Sequence, residues 1–509
     1  MYDVVVAGAG HNGLVCAAYL AKAGLKVLVL DTRPTVGGCA STVDAIGARV
    51  NICNCDHIMV HSTPMIDELG LRDHGLEYVA LEAVQHNAFW DDTVAPWTQY
   101  RSLDRTTDEV RRNHPDQADN WIRYITDAKP AAELVLAMAQ GLPTPGRATR
   151  LLAAHKGHGA RRLLLWSKQS VGEVLRSYFT SDALLTPTIV SGPAVWGCCL
   201  STPNTGLGAL GYVMKSMLGA ARPVGGSGAF PAALKGAIEA RGGVVRCGAT
   251  VAAIECDRHA VNGVRLTTGE VIATRAVVAA CDPRQVMLEW LGAGAPSAAT
   301  GMINKWRARP QFDGYESKID AVLSELPRLK NSPDHDWMST VTVSPTAAEI
   351  DAAWGLMGAG RIADRPMFLI NIPSVADASM MTTDGKHILS LEVVYTPYAF
   401  VGGWSTNVEA QRWLDVAAQL FEPGLKESIG EWRVMTPVDY ERDFGMPRGH
   451  AASFTGSPLS ALRGVDPELS RYETPIGGLF LTGAATYPGA GVWGASGRNT
   501  AAVVAAKLA

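Results

Sequence analysis

The chain has 509 residues, of which 47% are hydrophobic and 18% charged, and a formal net charge of −4. This length predicts two interleaved domains, and the slightly acidic balance argues against nucleic-acid binding, which needs a basic face. No apolar run reaches the roughly 18 residues of a membrane-spanning helix, and no signal sequence precedes the first strand. Nine scattered cysteines without paired CxxC motifs predict reduced thiols, no metal site and a cytoplasmic location.

The first 31 residues read as strand, tight turn, helix and strand. Asp3–Ala7 is a short apolar run of the buried parallel type, and His11–Ala23 carries the small residues that suit close packing of a helix on a sheet. Gly24 supplies a helix stop, and Lys26–Leu30 forms the second strand. This order predicts the start of a Rossmann-type α/β domain.

Between this strand and helix lies the motif Gly8-Ala9-Gly10-His11-Asn12-Gly13. Gly8 permits the tight turn, Gly10 lets the backbone approach a pyrophosphate, and Gly13 lets the helix lie close to the strand. The helix N-terminus offers free N–H groups to the phosphates. Asp31 ends the second strand, where a carboxylate can accept hydrogen bonds from ribose hydroxyls. The sequence therefore predicts a dinucleotide site.

Further elements follow along the chain. We predict a helix over Phe230–Arg241, a strand over Gly242–Arg246, and a hairpin that turns at Asn262-Gly263. Val277–Ala280 reads as a buried strand. The remaining predicted elements are a strand over Lys386–Val394, a helix over Asn407–Phe421, a strand over Gly478–Leu481 and a helix that starts near Gly494.

Two other segments favour FAD over NAD. The run Arg33-Pro34-Thr35-Val36-Gly37-Gly38 resembles the basic residue and glycine pair of flavoproteins in the amine oxidase and phytoene desaturase superfamily. Near the end of the chain, Tyr487–Asn499 (YPGAGVWGASGRN) places a glycine-rich loop between a strand and a helix. We expect this loop to contact the flavin ring, because its helix would point N–H groups toward the ring edge.

Together with AGHNGLV and ARPVGGSGAFPAAL, these motifs resemble the phytoene desaturase superfamily, and in particular its subgroup of pyridine nucleotide-disulfide oxidoreductase domain-containing proteins 2. Pro373–Asp377 and Asp384–His387 resemble the middle region of that subgroup. The name misleads on one point, since no CxxxxC redox pair lies beside the Rossmann unit. Asp31 in place of Glu, and Cys39 in place of Arg or Ala, depart from many relatives.

The resemblance implies a noncovalent FAD and a discontinuous FAD-binding domain (1–85, 222–300 and 440–509) with an inserted mixed α+β substrate domain (86–221 and 301–439). It also implies hydride transfer at flavin N5 with an apolar, isoprenoid- or lipid-like substrate whose C–C bonds are dehydrogenated, saturated or isomerised. The residues assigned to the cofactor are Gly8, Gly10, His11, Asn12, Gly13, Asp31, Thr32, Arg33, Gly37, Gly38, Cys39, Ala40, Val251, Gly483, Gly491 and Val492.

Catalytic candidates are fewer. Tyr487 and Trp493 are candidates for the pocket wall, and His57 and His450 for acid–base work, with a structural role as the alternative for each histidine. Two other function classes stay open: a flavin amine oxidase, which needs an aromatic cage, and a noncatalytic FAD-binding partner protein. The electron acceptor can be oxygen, a quinone or another protein.

Residues 134–172 contain six basic residues and no acidic one, interleaved with leucines and Trp166. This pattern is typical of an amphipathic element that lies weakly on an anionic membrane surface. The alternative is a solvated helix pair whose leucines face the core of the protein.

Overall fold

The structure is a computed structural model, and it describes residues 1–53, 55–450, 453, 454 and 456–509. Its strands, in chain order, are β1 (Tyr2–Ala7), β2 (Val27–Leu30), β3 (Thr42–Ala45), β4 (Ala48–Asn51), β5 (Tyr78–Leu81), β6 (Ala83–Phe89), β7 (Trp97–Tyr100), β8 (Ala220–Pro223), β9 (Val244–Arg246), β10 (Val251–Cys256), β11 (Val261–Leu266), β12 (Val271–Ala279), β13 (Tyr315–Leu323), β14 (Val341–Ser344), β15 (Phe368–Asn371), β16 (His387–Thr396), β17 (Ile429–Met435) and β18 (Leu479–Leu481).

The helices, in the same order, are α1 (His11–Lys22), α2 (Met65–Leu69), α3 (Leu103–Asn113), α4 (Ala118–Ala139), α5 (Pro145–Ala154), α6 (Ala160–Trp166), α7 (Val171–Arg176), α8 (Asp182–Leu185), α9 (Pro187–Val190), α10 (Gly211–Leu218), α11 (Ala229–Glu239), α12 (Pro283–Gln285), α13 (Thr300–Ala308), α14 (Ala347–Gly358), α15 (Pro373–Ala376), α16 (Val408–Ala417), α17 (Leu425–Ser428), α18 (Pro437–Phe444), α19 (Pro458–Leu462), α20 (Pro467–Ser470) and α21 (Ala495–Leu508). None of these described helices is long and apolar enough to cross a bilayer.

The first large sheet has a parallel core in the order β9-β2-β1-β12-β18, and β12 also pairs antiparallel with the β10–β11 hairpin. Buried apolar side chains cover both faces of β1, because a parallel sheet enclosed by helices has no solvent side. The strands come from residues 2–30, 244–279 and 479–481, so the chain leaves this sheet and returns to it twice. The predicted Rossmann-type α/β class is confirmed.

The second large sheet has the order β17-β13-β16-β15-β14-β6-β7 and is antiparallel except for the pair β14–β6. Its strands come from residues 83–100 and 315–435. β6 spans residue 85, where one domain boundary was predicted, and it pairs within this second sheet. The predicted domain boundaries stay predictions.

Most predicted elements coincide with observed ones, but the predicted hairpin turn is wrong. Asn262 and Gly263 lie inside β11, where Gly263 pairs with Glu255. The turn lies instead at residues 257–260, because the Asp257 carboxylate accepts hydrogen bonds from the backbone N–H groups of His259 (2.7 Å) and Ala260 (2.8 Å).

Candidate active site

The predicted glycine turn is built by close packing at two of its three glycines. Gly8 has a positive φ of +113°, and a Cβ there would lie 2.7 Å from the carbonyl oxygen of Ala280. A Cβ on Gly13 would lie 2.2 Å from the carbonyl oxygen of Gly8, so α1 can approach the turn only without a side chain. These two glycines are therefore needed by the fold itself.

Gly10 is different, because a Cβ there would meet no protein atom within 4 Å. Its φ of −64° suits any residue, so neither the backbone nor packing requires glycine. Gly483 also has open space at its Cβ position, but its φ of +123° by itself favours glycine. Open space beside a helix N-terminus is what a bound phosphate group would occupy, and the residues present therefore fit a dinucleotide.

The loop after β2 closes over this turn. Gly37 donates its N–H to the carbonyl of Ala9 (2.8 Å), and a Cβ on Gly38 would lie 3.3 Å from Cα of Gly10. Arg33 fixes the loop, since its guanidinium donates to the carbonyl of Gly38 (3.2 Å) and to the Ser41 hydroxyl (3.0 Å). The glycine pair thus lies directly against Gly10.

Asp31 holds the same region together. Its carboxylate accepts hydrogen bonds from the backbone N–H groups of Ala9 (2.7 Å) and Arg33 (2.8 Å). The half-buried carboxylate still has lone pairs for ribose hydroxyls. Its backbone carbonyl accepts from Ala249 (2.8 Å), which brings the start of β10 and Val251 alongside.

The C-terminal segment completes the site. The imidazole of His11 lies 3.1 Å from the carbonyl of Gly491, and the side chain of Asn12 accepts from the N–H of Gly497 (3.4 Å). A Cβ on Gly497 would lie 2.1 Å from the carbonyl of Asn12, so α21 and α1 cross in close contact. Residues 8–13, 37–40 and 483–497, called here the glycine cradle, are therefore assembled in one place.

The other assigned cofactor residues occupy less informative positions. Thr32 is exposed, Ala40 is buried, and Val492 packs beside the apolar cluster around α1. The Cys39 thiol lies 3.1 Å from the sulfur of Met446. The specific cofactor contacts of all these residues stay predictions.

The environment of His57 favours a structural role over the acid–base role predicted for it. The side chain is fully buried, with Nδ1 2.8 Å from the Tyr78 hydroxyl and Nε2 3.2 Å from the Ser227 hydroxyl. Burial, and then the nearby His11 and His61, lower the pKa of His57 to about 3. A ring that is enclosed and neutral near pH 7 is poorly suited to exchange protons with a substrate.

Tyr487 and Trp493 do not pack against each other. The Tyr487 ring makes an edge contact with Phe454, and its buried hydroxyl has no hydrogen-bond partner among the described residues. Trp493 packs with Leu136 and donates its indole N–H to the Ser62 hydroxyl (2.8 Å). Tyr487 can therefore bind a polar atom of a ligand, whereas the Trp493 N–H is already engaged.

His450 lies at the edge of the second sheet region. It is buried, its ring lies 4.7 Å from that of Phe312, and burial lowers its pKa to about 4. Within the described residues, no group of three or more His, Cys, Asp or Glu side chains is arranged to hold a metal ion.

Sequence reasoning missed a cluster of buried charges on β13 and β16. Glu316, Lys318, Asp320 and Glu392 are each at most 2% exposed. Lys318 is directly opposite Glu392, bonds to Asp320, and donates to the carbonyl of Asn51 (2.7 Å). These four residues are called the carboxyl–lysine cluster. The alternation of polar residues along β13 was the available signal.

The pKa values of two carboxyl groups in this cluster, those of Glu316 and Glu392, are raised above their ordinary values. Burial, opposed by Lys318, raises the pKa of Glu392 to about 7. Burial and then Glu392 raise the pKa of Glu316 well above its ordinary value. Glu316 interacts with the Cys53 thiol, and Cys53 with Cys39, which follows the glycine pair of the cradle. The cluster therefore reaches the cradle through two thiols.

A second buried pair links β8 to the segment that precedes β14. The Arg222 guanidinium on β8 donates to the Asp56 carboxylate (2.7 Å), and the Thr340 hydroxyl donates to its other oxygen (2.6 Å). Although burial alone would raise the pKa of Asp56, the charge of Arg222 holds that pKa below its ordinary value.

Comparison with known proteins agrees with this architecture. Residues 6–65 match the family of the NAD(P)-binding Rossmann-like domain. The chain is an oxidoreductase of the FAD-dependent type, similar in sequence to a phytoene desaturase and in fold to an amine oxidase.

Within that class the chain is 29% identical to pyridine nucleotide-disulfide oxidoreductase domain-containing protein 2 of Rattus norvegicus, over 99% of this chain and 93% of that protein. It is 23% identical to the neurosporene-forming phytoene desaturase of Cereibacter sphaeroides, over 99% of this chain and 94% of that protein. Among solved structures, putrescine oxidase bound to putrescine shares the fold with a TM-score of 0.62 at 16% identity, over 99% and 98% of the two chains. The resemblance inferred from the motifs is confirmed.

Proposed function

We propose that the protein binds FAD and dehydrogenates, saturates or isomerises C–C bonds of an apolar, isoprenoid- or lipid-like molecule. The observation that carries this proposal is the glycine cradle. Gly10 is a glycine that neither the backbone nor the protein's own packing requires, and open space lies where its side chain would be. A large bound cofactor explains that space.

The cradle residues have separate tasks in holding the cofactor. The N–H groups at the start of α1 and the missing side chain of Gly10 would receive the pyrophosphate, and the Asp31 carboxylate would receive ribose hydroxyls. Residues 483–497 would lie along the ring. When bound, FAD would supply the hydride acceptor at N5.

The choice of C–C bonds over amines rests on two points. The relatives that align along nearly the full chain include a phytoene desaturase, whereas putrescine oxidase is similar in fold alone. In addition, Tyr487 and Trp493 pack against different neighbours, Phe454 and Leu136, which supports C–C bond chemistry over a paired aromatic cage for an amine.

Dehydrogenation of a C–C bond releases a proton with each hydride, and the chain must take up that proton. The carboxyl–lysine cluster supports this task, because a carboxyl group whose pKa is about 7 can exchange a proton near neutral pH. We assign the proton to ionised Glu392, because its neighbour Glu316 connects the cluster to the cradle through the Cys53 and Cys39 thiols.

The test is anaerobic reduction of the purified, flavin-loaded protein by a panel of polyenes, long-chain lipids and primary amines. We expect loss of the visible flavin absorbance with a polyene or lipid, together with a product changed at a C–C bond. Gly10→Val should abolish flavin binding, whereas Gly355→Val, at another glycine with open space at its Cβ position, should retain it.

Two results would contradict the proposal. Reduction by amines alone would identify an amine oxidase. Full flavin occupancy in Gly10→Val would mean that the cofactor does not lie in the cradle.

A further inference from the structure

The helices α5 and α6 lie over the end of α4 and leave an apolar outer face. α5 has no buried residue. In α6, Leu163 and Trp166 are buried, whereas Leu164 is 48% and Leu165 44% exposed. Leu152 on α5 is 39% exposed. The leucines of this segment are therefore divided between the protein core and the surface.

The same segment carries unpaired positive charge. Arg150, Lys156, Arg161 and Lys168 are exposed and form no ion pair within the described part of the chain. The two other basic residues are engaged, since Arg162 pairs with Asp127 (2.6 Å) and Arg147 donates to the carbonyls of Met138 and Ala137. No acidic residue lies between positions 134 and 172.

Exposed leucines and basic groups are neighbours on the helix surface. Arg161 precedes Leu164 by three residues and Leu165 by four, which places these side chains side by side. Lys168 follows the same leucines at the same spacings, and its N–H bonds to the carbonyl of Leu165 (3.1 Å). Apolar side chains are thus flanked by cations at both ends.

We propose that this surface, residues 145–168, docks on an anionic lipid bilayer. The basic side chains would contact phosphate-bearing headgroups while the exposed leucines enter the interface. Charge favours this occupant over a second copy of the chain, because a symmetric contact between two such surfaces would oppose like charges without carboxylates to pair them.

The proposed docking surface lies close to the cradle. The end of α4, which α5 and α6 cover, contacts the two residues of α21 that directly follow the cradle: Asn499 donates to the carbonyl of Ala139 (3.1 Å) and Arg498 to that of Gln140 (3.3 Å). A bilayer at this surface would therefore lie beside one wall of the cradle. The docking is independent of the proposed function, although it would bring membrane-dissolved molecules close to the cofactor.

The test is co-sedimentation of the flavin-loaded protein with phosphatidylcholine vesicles that contain or lack phosphatidylglycerol. We expect binding to the anionic vesicles at low salt, and release at high salt. Each lost basic charge should weaken binding by about fivefold, so Arg161→Glu with Lys168→Glu should weaken it by about 25-fold or more. Leu164→Ser with Leu165→Ser should weaken it by about tenfold.

Matched controls lie elsewhere on the surface. Arg258→Glu with Arg328→Glu makes the same change of charge, and Val401→Ser with Val408→Ser removes valines that are 76% and 74% exposed. Both control pairs should bind as the unchanged protein does. The proposal is overturned by absence of binding at low salt, by equal binding to neutral vesicles, or by equal losses in the controls. Self-association that Leu164→Ser with Leu165→Ser abolishes would assign the surface to a second copy.

Discussion

The two large sheets differ in the residues on which their structures depend. In the first sheet the strands are apolar and the essential positions are glycines, because backbone must pass close to backbone or to a phosphate. In the second sheet the strands β13 and β16 carry charged residues that become buried against Asn51 and Cys53. The first sheet region thus depends on positions where glycine has no side chain, and the second depends on pairing between charged side chains.

The largest effect that we expect separates two glycines three residues apart. Val at position 13 would place its Cβ 2.2 Å from the carbonyl oxygen of Gly8. We expect the resulting loss of folding free energy to exceed the cost of ordinary overpacking, which is about 1–3 kcal/mol. Gly13→Val should therefore yield no folded protein. Gly10→Val should fold and lose only the flavin, since its Cβ meets no protein atom. The measurement is thermal unfolding against the wild-type protein freed of flavin.

This pair of variants tests whether Gly10 serves the cofactor and Gly13 serves packing. If Gly10→Val unfolds as readily as Gly13→Val, then all three glycines serve packing alone. The open space at Gly10 would then not support the presence of a bound cofactor in the cradle.

The next effect concerns charge pairing in the interior. Arg222→Met would leave the Asp56 carboxylate buried without its cation, which typically costs about 3–5 kcal/mol. Chemical denaturation should show this loss, with the flavin retained at saturating FAD. The exposed pair Arg246–Glu270 has the same N–O distance of 2.7 Å, and Arg246→Met should have little measurable effect because water screens that pair. Equal losses in both variants would contradict the assigned role of burial.

The predictability of the two regions follows from the range of the interactions. Gly8, Gly13, Asp31 and the helix between them act within 30 residues of chain, so spacing alone predicts the turn and the helix. The C-terminal part of the cradle is distant in sequence, and only the resemblance to a known family indicated that it joins the site.

The carboxyl–lysine cluster could not be predicted in this way. Glu316, Lys318 and Asp320 alternate along β13 as the solvent-facing residues of an ordinary antiparallel strand do. They are buried because Asn51 and Cys53, more than 250 positions away in the sequence, lie against that face. The sequence likewise could not show that Tyr78 and Ser227 enclose His57, because these are tertiary contacts, and His57 was therefore predicted as a catalytic candidate.

The smallest effect tests whether Glu392 holds a proton in the folded state. Its folded-state pKa of about 7 lies above the ordinary value of 4.5, so the folded protein keeps a proton that the unfolded chain has lost. The stability from this group is present below about pH 4.5 and is lost as the pH rises to about 7, with a slope of at most about 1.4 kcal/mol per pH unit. The pKa of this carboxyl is set jointly by the charged groups that face it, which are Lys318, Asp320, Asp56 and Glu316.

Glu392→Gln cannot lose a proton, so its free energy of unfolding should decline less than that of the wild type between pH 5 and pH 7. Glu349→Gln, at the exposed cap of α14, is the control and should follow the wild-type slope. Parallel profiles for Glu392→Gln and the wild type would mean that Glu392 is ionised throughout, and the proton assigned to it would need another acceptor.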